Sequence, residues 1–228
     1  MLLNKIKMAV YAMFLTNLYG FKLKNIVSYS KKKELRLQYA EQLLSKLNIQ
    51  VKIKNIDKLP TDGQFLLISN HRSIIDPLII EIALKDTNIF GFWIAKEELS
   101  SSPFFATFVK NAGTILLNRE NKSMSDVFKK IKVAVNEGNS IFIFPEGTRN
   151  KEKTQLSSFK NGTQVIALKN RLPILPIYIT TNADEVLQSA LQDSSKPIKI
   201  EVEIGELIDF KTKLGVEKLY RTMFKLKD

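Results

Sequence analysis

The chain has no cysteine and only one histidine among its 228 residues. Without cysteine there is no disulfide framework, no thiol nucleophile and no thiolate zinc site. That composition suits a reducing compartment. With one histidine, any imidazole chemistry runs through His71. Nine glycines and seven prolines form no linker-like or low-complexity tract, and no internal repeat is visible. Long apolar runs are equally scarce, with a single example at residues 8–21. What is abundant is ordinary: 44% hydrophobic and 25% charged residues are the proportions of a folded globular chain, not a disordered one. At 26.1 kDa the chain can bury a sizeable core.

Acidic residues are in deficit, and the formal net charge is +12. Such a charge suits nucleic acid, a membrane surface or an anionic small molecule, and its distribution separates these. Residues 1–60 hold 12 basic and 3 acidic side chains, whereas the rest of the chain holds 23 and 20. The excess is N-terminal. It surrounds the one long apolar run, MAVYAMFLTNLYGF, with Lys5 and Lys7 before it and Lys22 and Lys24 after it. A spanning helix needs about 20 apolar residues, and this run is shorter and broken by Thr16 and Asn17, so an interfacial helix is expected in preference to a spanning one. No small-residue cleavage site follows it, so it reads as retained. A second helix opens at Lys31-Lys32-Lys33, with Leu35, Tyr39, Leu43, Leu44 and Leu47 at helical spacing. Two basic helices with apolar faces attract anionic lipid headgroups; the competing reading has both as core-capping helices with solvated lysines. Residues 1–50 are therefore taken as membrane-associated helices and 51–228 as the main domain.

Beyond residue 50, short apolar runs alternate with helical stretches. Strands are predicted at 51–53, 65–68, 89–94, 114–117, 141–144 and 174–179, and helices at 77–85, 103–111, 125–137 and 162–170, with Gly138 ending the third. The alternating run at 198–204 reads as an edge strand and 216–226 as a closing helix. The fold class expected is α/β, a mostly parallel or mixed central sheet flanked by helices, with an N-terminal membrane-associated helix pair.

His71 follows the buried-looking strand at 65–68, where α/β sheets present functional loops. Asp76 lies five residues on. In an unbroken helix that spacing turns the two side chains about 140° apart. Pro77 disfavours helical geometry at residue 76 and fits a first helical turn, so 71–76 is expected to bend and bring the pair together. A carboxylate on one imidazole nitrogen fixes the tautomer while the other nitrogen takes a proton from a hydroxyl. The alternative is that Asp76 only caps the helix.

A second polar site follows the apolar strand at 141–144: Phe144-Pro145-Glu146-Gly147-Thr148-Arg149. Arg149 offers a forked donor set for phosphate, Glu146 accepts from substrate hydroxyls or orients the arginine, and Gly147 permits close backbone approach. The stretch 113–119 (GTILLNR) likewise ends a strand in an arginine, Arg119, so two strand-end arginines form a candidate phosphate clamp. Each alone is more often a surface ion-pair partner.

Together these blocks resemble the glycerolipid acyltransferase family. Residues 70–76 (NHRSIID) are similar to its NHxSxxD block, 113–119 to its glycine–strand–arginine block, 144–149 to its FPEGTR block and 172–177 (LPILPI) to its proline-bearing strand. The stretches 95–99 (AKEEL) and 159–162 (FKNG) are also similar, so the resemblance spans roughly residues 60–180. Asn118 stands where the family often has aspartate, and Leu116-Leu117 replace bulkier or β-branched residues.

The resemblance implies His71 as general base, Asp76 as its orienter, Arg119 and Arg149 as phosphate ligands, and Glu146 as a contact positioning glycerol. Gly147, Thr148, Lys96 and Ser73 are further expected substrate-binding positions, Ser73 as a loop hydrogen-bonder and not a nucleophile, since no G-x-S-x-G elbow occurs. The implied reaction is direct attack of a hydroxyl on an acyl thioester, carried by acyl carrier protein or coenzyme A, with no metal and no cofactor. The expected acceptor is lysophosphatidate, the expected setting the cytoplasmic face of the cell membrane on anionic lipid, peripheral or monotopic. Glycerol 3-phosphate or another lysolipid, such as an aminolipid, is the nearest alternative acceptor. A non-enzymatic basic protein binding membrane or nucleic acid is the alternative of another class; the charge map and the lack of a basic–aromatic stacking motif or helix-turn-helix speak against nucleic acid.

Overall fold

The computed structural model describes residues 2–118, 125–152 and 154–227. Two helices, α1 (Leu2–Leu23) and α2 (Tyr29–Lys46), precede β1 (Ile49–Lys54), β2 (Leu66–Ser69), α3 (Asp76–Ala83), β3 (Gly91–Lys96), α4 (Ala106–Asn111) and β4 (Thr114–Leu117). There follow α5 (Ser125–Asn136), β5 (Ser140–Ile143), α6 (Gly162–Asn170), β6 (Ile174–Ile179), α7 (Ala183–Gln192), β7 (Ile198–Ile204) and α8 (Val216–Met223). The strands form one sheet in the order β1-β7-β6-β2-β5-β3-β4. Every pair is parallel except β6–β7, so the sheet is mixed, as expected for the fold class.

The sheet separates two apolar layers, and strand alternation assigns side chains to them. Leu67, Phe142, Leu175 and Ile177 pack with α1, α2, α3 and α7, while Leu66, Ile68, Ile141 and Ile174 pack with α5, α6 and α8. Central β2 is buried on both faces, which explains its unbroken apolar run. Truncating such a side chain to alanine costs about 2–5 kcal/mol.

Several expectations are corrected. The run 198–204 is not an edge: β7 lies between β1 and β6, and the edges are β1 and β4. Its alternation arises because Ile200, Val202 and Ile204 are buried under helices, while Glu201 on the other face meets Lys54 of β1 at 2.6 Å. Alternation reports one-sided burial, which an interior strand also shows. Helix α7, capped by the Asn182 side chain accepting from Asp184 N–H, was not anticipated. Helix α2 starts at Tyr29, two residues before the lysine triplet, because Ser28 supplies the N-cap.

Helix α1 is two-faced. Leu15, Tyr19 and Leu23 are buried in the core, and Thr16 Oγ1 and Tyr39 Oη lie 2.8 Å apart, joining α1 to α2. The opposite stripe, Ile6, Val10, Met13, Phe14, Leu18 and Phe21, is exposed, with Phe14 at 64% and Phe21 at 63%. Among the described residues no helix is long and apolar enough to cross a membrane.

Candidate active site

Strands β2 and β5 are neighbours with Ile68 opposite Ile143, so the loops that follow them emerge side by side. Position 71 lies on one loop and 144–149 on the other. Asn70, between β2 and the site, is buried; its amide donates to Ile179 O (3.0 Å) and its Oδ1 accepts from Ile179 N–H (2.8 Å), tying the loop to the end of β6.

The bend predicted from Pro77 is present, with the proline in the first turn of α3. His71 Nδ1 and Asp76 Oδ2 lie 2.8 Å apart. The same oxygen accepts the backbone N–H of Arg72 and of Ser73, both at 2.7 Å. Those bonds run back into the loop, and no side-chain cap is made into α3, so the aspartate shapes the bend and meets the imidazole instead of capping the helix. Asp76 is 1% exposed, and its other oxygen, like Ser73 Oγ, has no hydrogen-bond partner among the described residues. The His71 side chain is 19% exposed, and none of the described residues hydrogen-bonds its Nε2.

Glu146 stands in the interior beside the His71 loop. It is 2% exposed; Oε1 accepts His71 N–H (2.6 Å) and Oε2 accepts Ser157 N–H (2.7 Å). Burial pushes its carboxyl above the ordinary range against the opposing pull of those two bonds. Both oxygens are engaged with backbone, so this carboxylate braces the His71 loop and does not face Arg149. His71 O in turn accepts Asn150 N–H at 2.6 Å. Gly147, at φ +73°, lets the chain turn with its N–H on Phe144 O (2.9 Å).

Lys96, Thr148 and Arg149 are exposed, and Arg149 makes no hydrogen bond or ion pair among the described residues. Ser73 is fully buried and contributes its N–H, not its hydroxyl, to the loop. Arg119 lies outside the described residues, so the clamp of two arginines rests on Arg149 alone here. Among the described residues no group of three or more histidine and acidic side chains is placed to hold a metal. Two residues inside the quoted blocks received no role from sequence: Asn70, and Phe144, whose ring stacks on His71 at 4.0 Å and 11°. An aromatic immediately after β5, beside a strand whose end carries the histidine, was the available signal.

The fold and this geometry define a class: an α/β protein presenting one carboxylate-oriented imidazole at the carboxyl ends of its parallel strands. The chain belongs to the acyltransferase family, whose model matches residues 50–180. It is 35% identical over 128 residues to 1-acyl-sn-glycerol-3-phosphate acyltransferase of Helicobacter pylori, covering 55% of this chain and 53% of that protein. The enzyme of the same name from Bacillus subtilis is 30% identical over 126 residues, covering 55% and 60%. The chain thus spans about half the length of the curated relatives it matches. The crystal structure of the 1-acyl-sn-glycerophosphate acyltransferase PlsC from Thermotoga maritima matches with a TM-score of 0.69 at 21% identity, covering 98% of this chain and 92% of that one, a likeness of fold.

Proposed function

We propose that this chain moves a fatty acyl group from an acyl thioester to the sn-2 hydroxyl of 1-acylglycerol 3-phosphate, giving phosphatidate for phospholipid synthesis. The observation that carries the reading is the 2.8 Å His71–Asp76 contact with Nε2 left open, within residues 50–180 that the acyltransferase family model matches. Nε2 takes the acceptor's hydroxyl proton as the oxygen attacks the thioester carbonyl; the C–O bond forms, the C–S bond breaks, and the proton passes from the imidazolium to the departing sulfur. Asp76 holds Nδ1 protonated and stabilises the imidazolium. A placed base contributes typically 10²- to 10⁴-fold, and positioning supplies much of the rest.

The acceptor phosphate is assigned to Arg149 and Arg119, with Lys96 and Thr148 as further substrate contacts and Gly147 giving the backbone close approach. Glu146 and Ser73 are assigned to holding the loop. The acyl donor is a thioester of acyl carrier protein or coenzyme A, and the scheme needs no cofactor. Helices α1 and α2 are assigned to the cytoplasmic membrane surface, supported by the exposed apolar stripe and its flanking lysines, with residues 51–228 as the transferase portion.

The test is acyl transfer from both donors to lysophosphatidate and, separately, to glycerol 3-phosphate in liposomes, with His71→Ala as control. Phosphatidate formation abolished in a folded His71→Ala supports the reading. Acylation of glycerol 3-phosphate alone would move the acceptor, and full activity of His71→Ala would remove the mechanism.

A further inference from the structure

Phe144 lies between two rings. The imidazole of His71 runs nearly parallel to it, centroids 4.0 Å apart and planes 11° apart, and so does the indole of Trp93, at 5.0 Å and 23°. One face of a phenyl ring has no room for both at those distances, so His71 and Trp93 occupy opposite faces. The register explains how: Trp93 of β3 stands opposite Phe142 of β5, and Phe144 is the next residue of β5's course pointing the same way, a diagonal neighbour.

The indole is itself held. Its Nε1–H donates to Glu81 Oε1 at 3.0 Å, and Glu81 of α3 forms a buried ion pair with Arg36 of α2. Arg36, 2% exposed, also donates to the backbone oxygens of Gly91 (2.8 Å) and Ala112 (3.2 Å) and lies 4.7 Å from the centroid of the Phe90 ring. Arg36 thus spreads its donors over Glu81 Oε1 and two backbone oxygens, and a buried, hydrogen-bonded charge pair of this kind holds its neighbours in place. A continuous line of contacts therefore runs from α2 through Arg36, Glu81, Trp93 and Phe144 to the face of His71.

We propose that Trp93 is a positioning residue for His71, acting through the ring of Phe144. The hydrogen bond to Asp76 fixes one point of the imidazole but leaves the ring free to tilt about the Nδ1–Oδ2 line. A flat ring pressed on its face, backed by a second flat ring, removes that freedom and aims Nε2. Proton transfer is sensitive to aim, since a misplacement of about 1 Å costs on the order of a hundredfold in rate. The inference rests on His71 being the base proposed above.

The test uses the full chain in liposomes and exploits its single histidine, whose imidazole nitrogen resonances report one site without ambiguity. In wild type these resonances are expected to show one fixed tautomer. Trp93→Leu is expected to give an averaged or doubled imidazole signal, a kcat lower by about tenfold to a hundredfold, and a KM changed by less than about twofold. Trp93→Phe, which keeps a flat ring but loses the N–H to Glu81, restores the single signal and most of kcat; Trp93→Met serves in place of Trp93→Leu should the latter not fold. Unchanged imidazole resonances in Trp93→Leu or Trp93→Met overturn the proposal, whether or not activity falls. So does a kcat loss that Trp93→Phe fails to restore. If wild type forms no phosphatidate while the imidazole still responds to Trp93→Leu, the base reading fails and the ring-positioning stands.

Discussion

Asp76 Oδ2 accepts three N–H groups at 2.7–2.8 Å, two from the backbone of Arg72 and Ser73 and one from the ring of His71, so one oxygen both builds the bend and orients the imidazole. Asp76→Asn can keep an amide oxygen on the two backbone N–H groups, and with it the bend, but it removes the negative charge that stabilises the imidazolium. The expected result is a kcat lower by about 10³- to 10⁴-fold at saturating donor and acceptor, with the far-UV dichroism of wild type. Retention of more than about a tenth of the activity would show that the carboxylate does not serve the base.

Glu146 makes its two backbone bonds in the interior, and removing it strands two N–H groups. Each costs about 1–3 kcal/mol, so Glu146→Ala is expected to lose roughly 2–6 kcal/mol in urea unfolding, together with most of its kcat, because the His71 loop loses its brace. A Glu146→Ala protein of wild-type stability would mean that its carboxylate faces substrate instead.

Arg149, three residues further along, should behave oppositely. It is exposed and unpartnered among the described residues, so Arg149→Ala is expected to change stability by less than about 0.5 kcal/mol. A lost charge-assisted bond to phosphate, worth about 1.5–3 kcal/mol, would raise the KM for the acceptor roughly tenfold to a hundredfold with the donor KM unmoved. An unchanged acceptor KM rules out the phosphate role.

The contrast between these two members of FPEGTR marks where sequence reading stops. All seven strands and the bend at Pro77 were legible because apolar runs and the backbone restriction of proline are local signals. Whether Glu146 points in or out is not local: it depends on β5 lying beside β2, which places His71 N–H in front of it. The same holds for β7, whose alternation looked like an edge until β1 closed over it. Trp93 carried no signal at all, since its neighbours Glu81 and Phe144 lie on other elements. Helix α7 escaped because ADEVLQSALQ carries a modest apolar face and announces itself mainly by the Asn182 cap.

Tyr39 gives the helix pair a dependence on alkaline pH. Burial pushes its phenol up to about 12 from an ordinary 10.0, with the Thr16 bond pulling the other way. Because the folded value is raised, folding favours the neutral phenol: the contribution is complete below pH 10 and is lost as pH rises through about 12. Tyr39→Phe is expected to lose about 1 kcal/mol at neutral pH with the hydrogen bond, yet to lose less than wild type between pH 10 and 12. Unfolding midpoints in urea at each pH provide the comparison, and parallel alkaline slopes in the two proteins would contradict the sign.

The exposed stripe on α1 separates lipid binding from folding. Phe14 and Phe21 are mostly in solvent, so Phe14→Asp with Phe21→Asp leaves the core formed by Leu15, Tyr19 and Leu23 intact and should shift the melting temperature little. If the stripe enters a bilayer interface, each phenyl contributes about 1.5–3 kcal/mol of burial, and the double variant loses on the order of 10²- to 10⁴-fold in partition to vesicles containing anionic lipid. Raising the salt weakens wild-type binding by screening the flanking lysines but leaves the apolar share, so wild type retains binding at high salt where the double variant has none. Equal partition of the two proteins at low salt would show that the lysines alone hold the chain to the surface and that the apolar stripe is covered by something other than lipid.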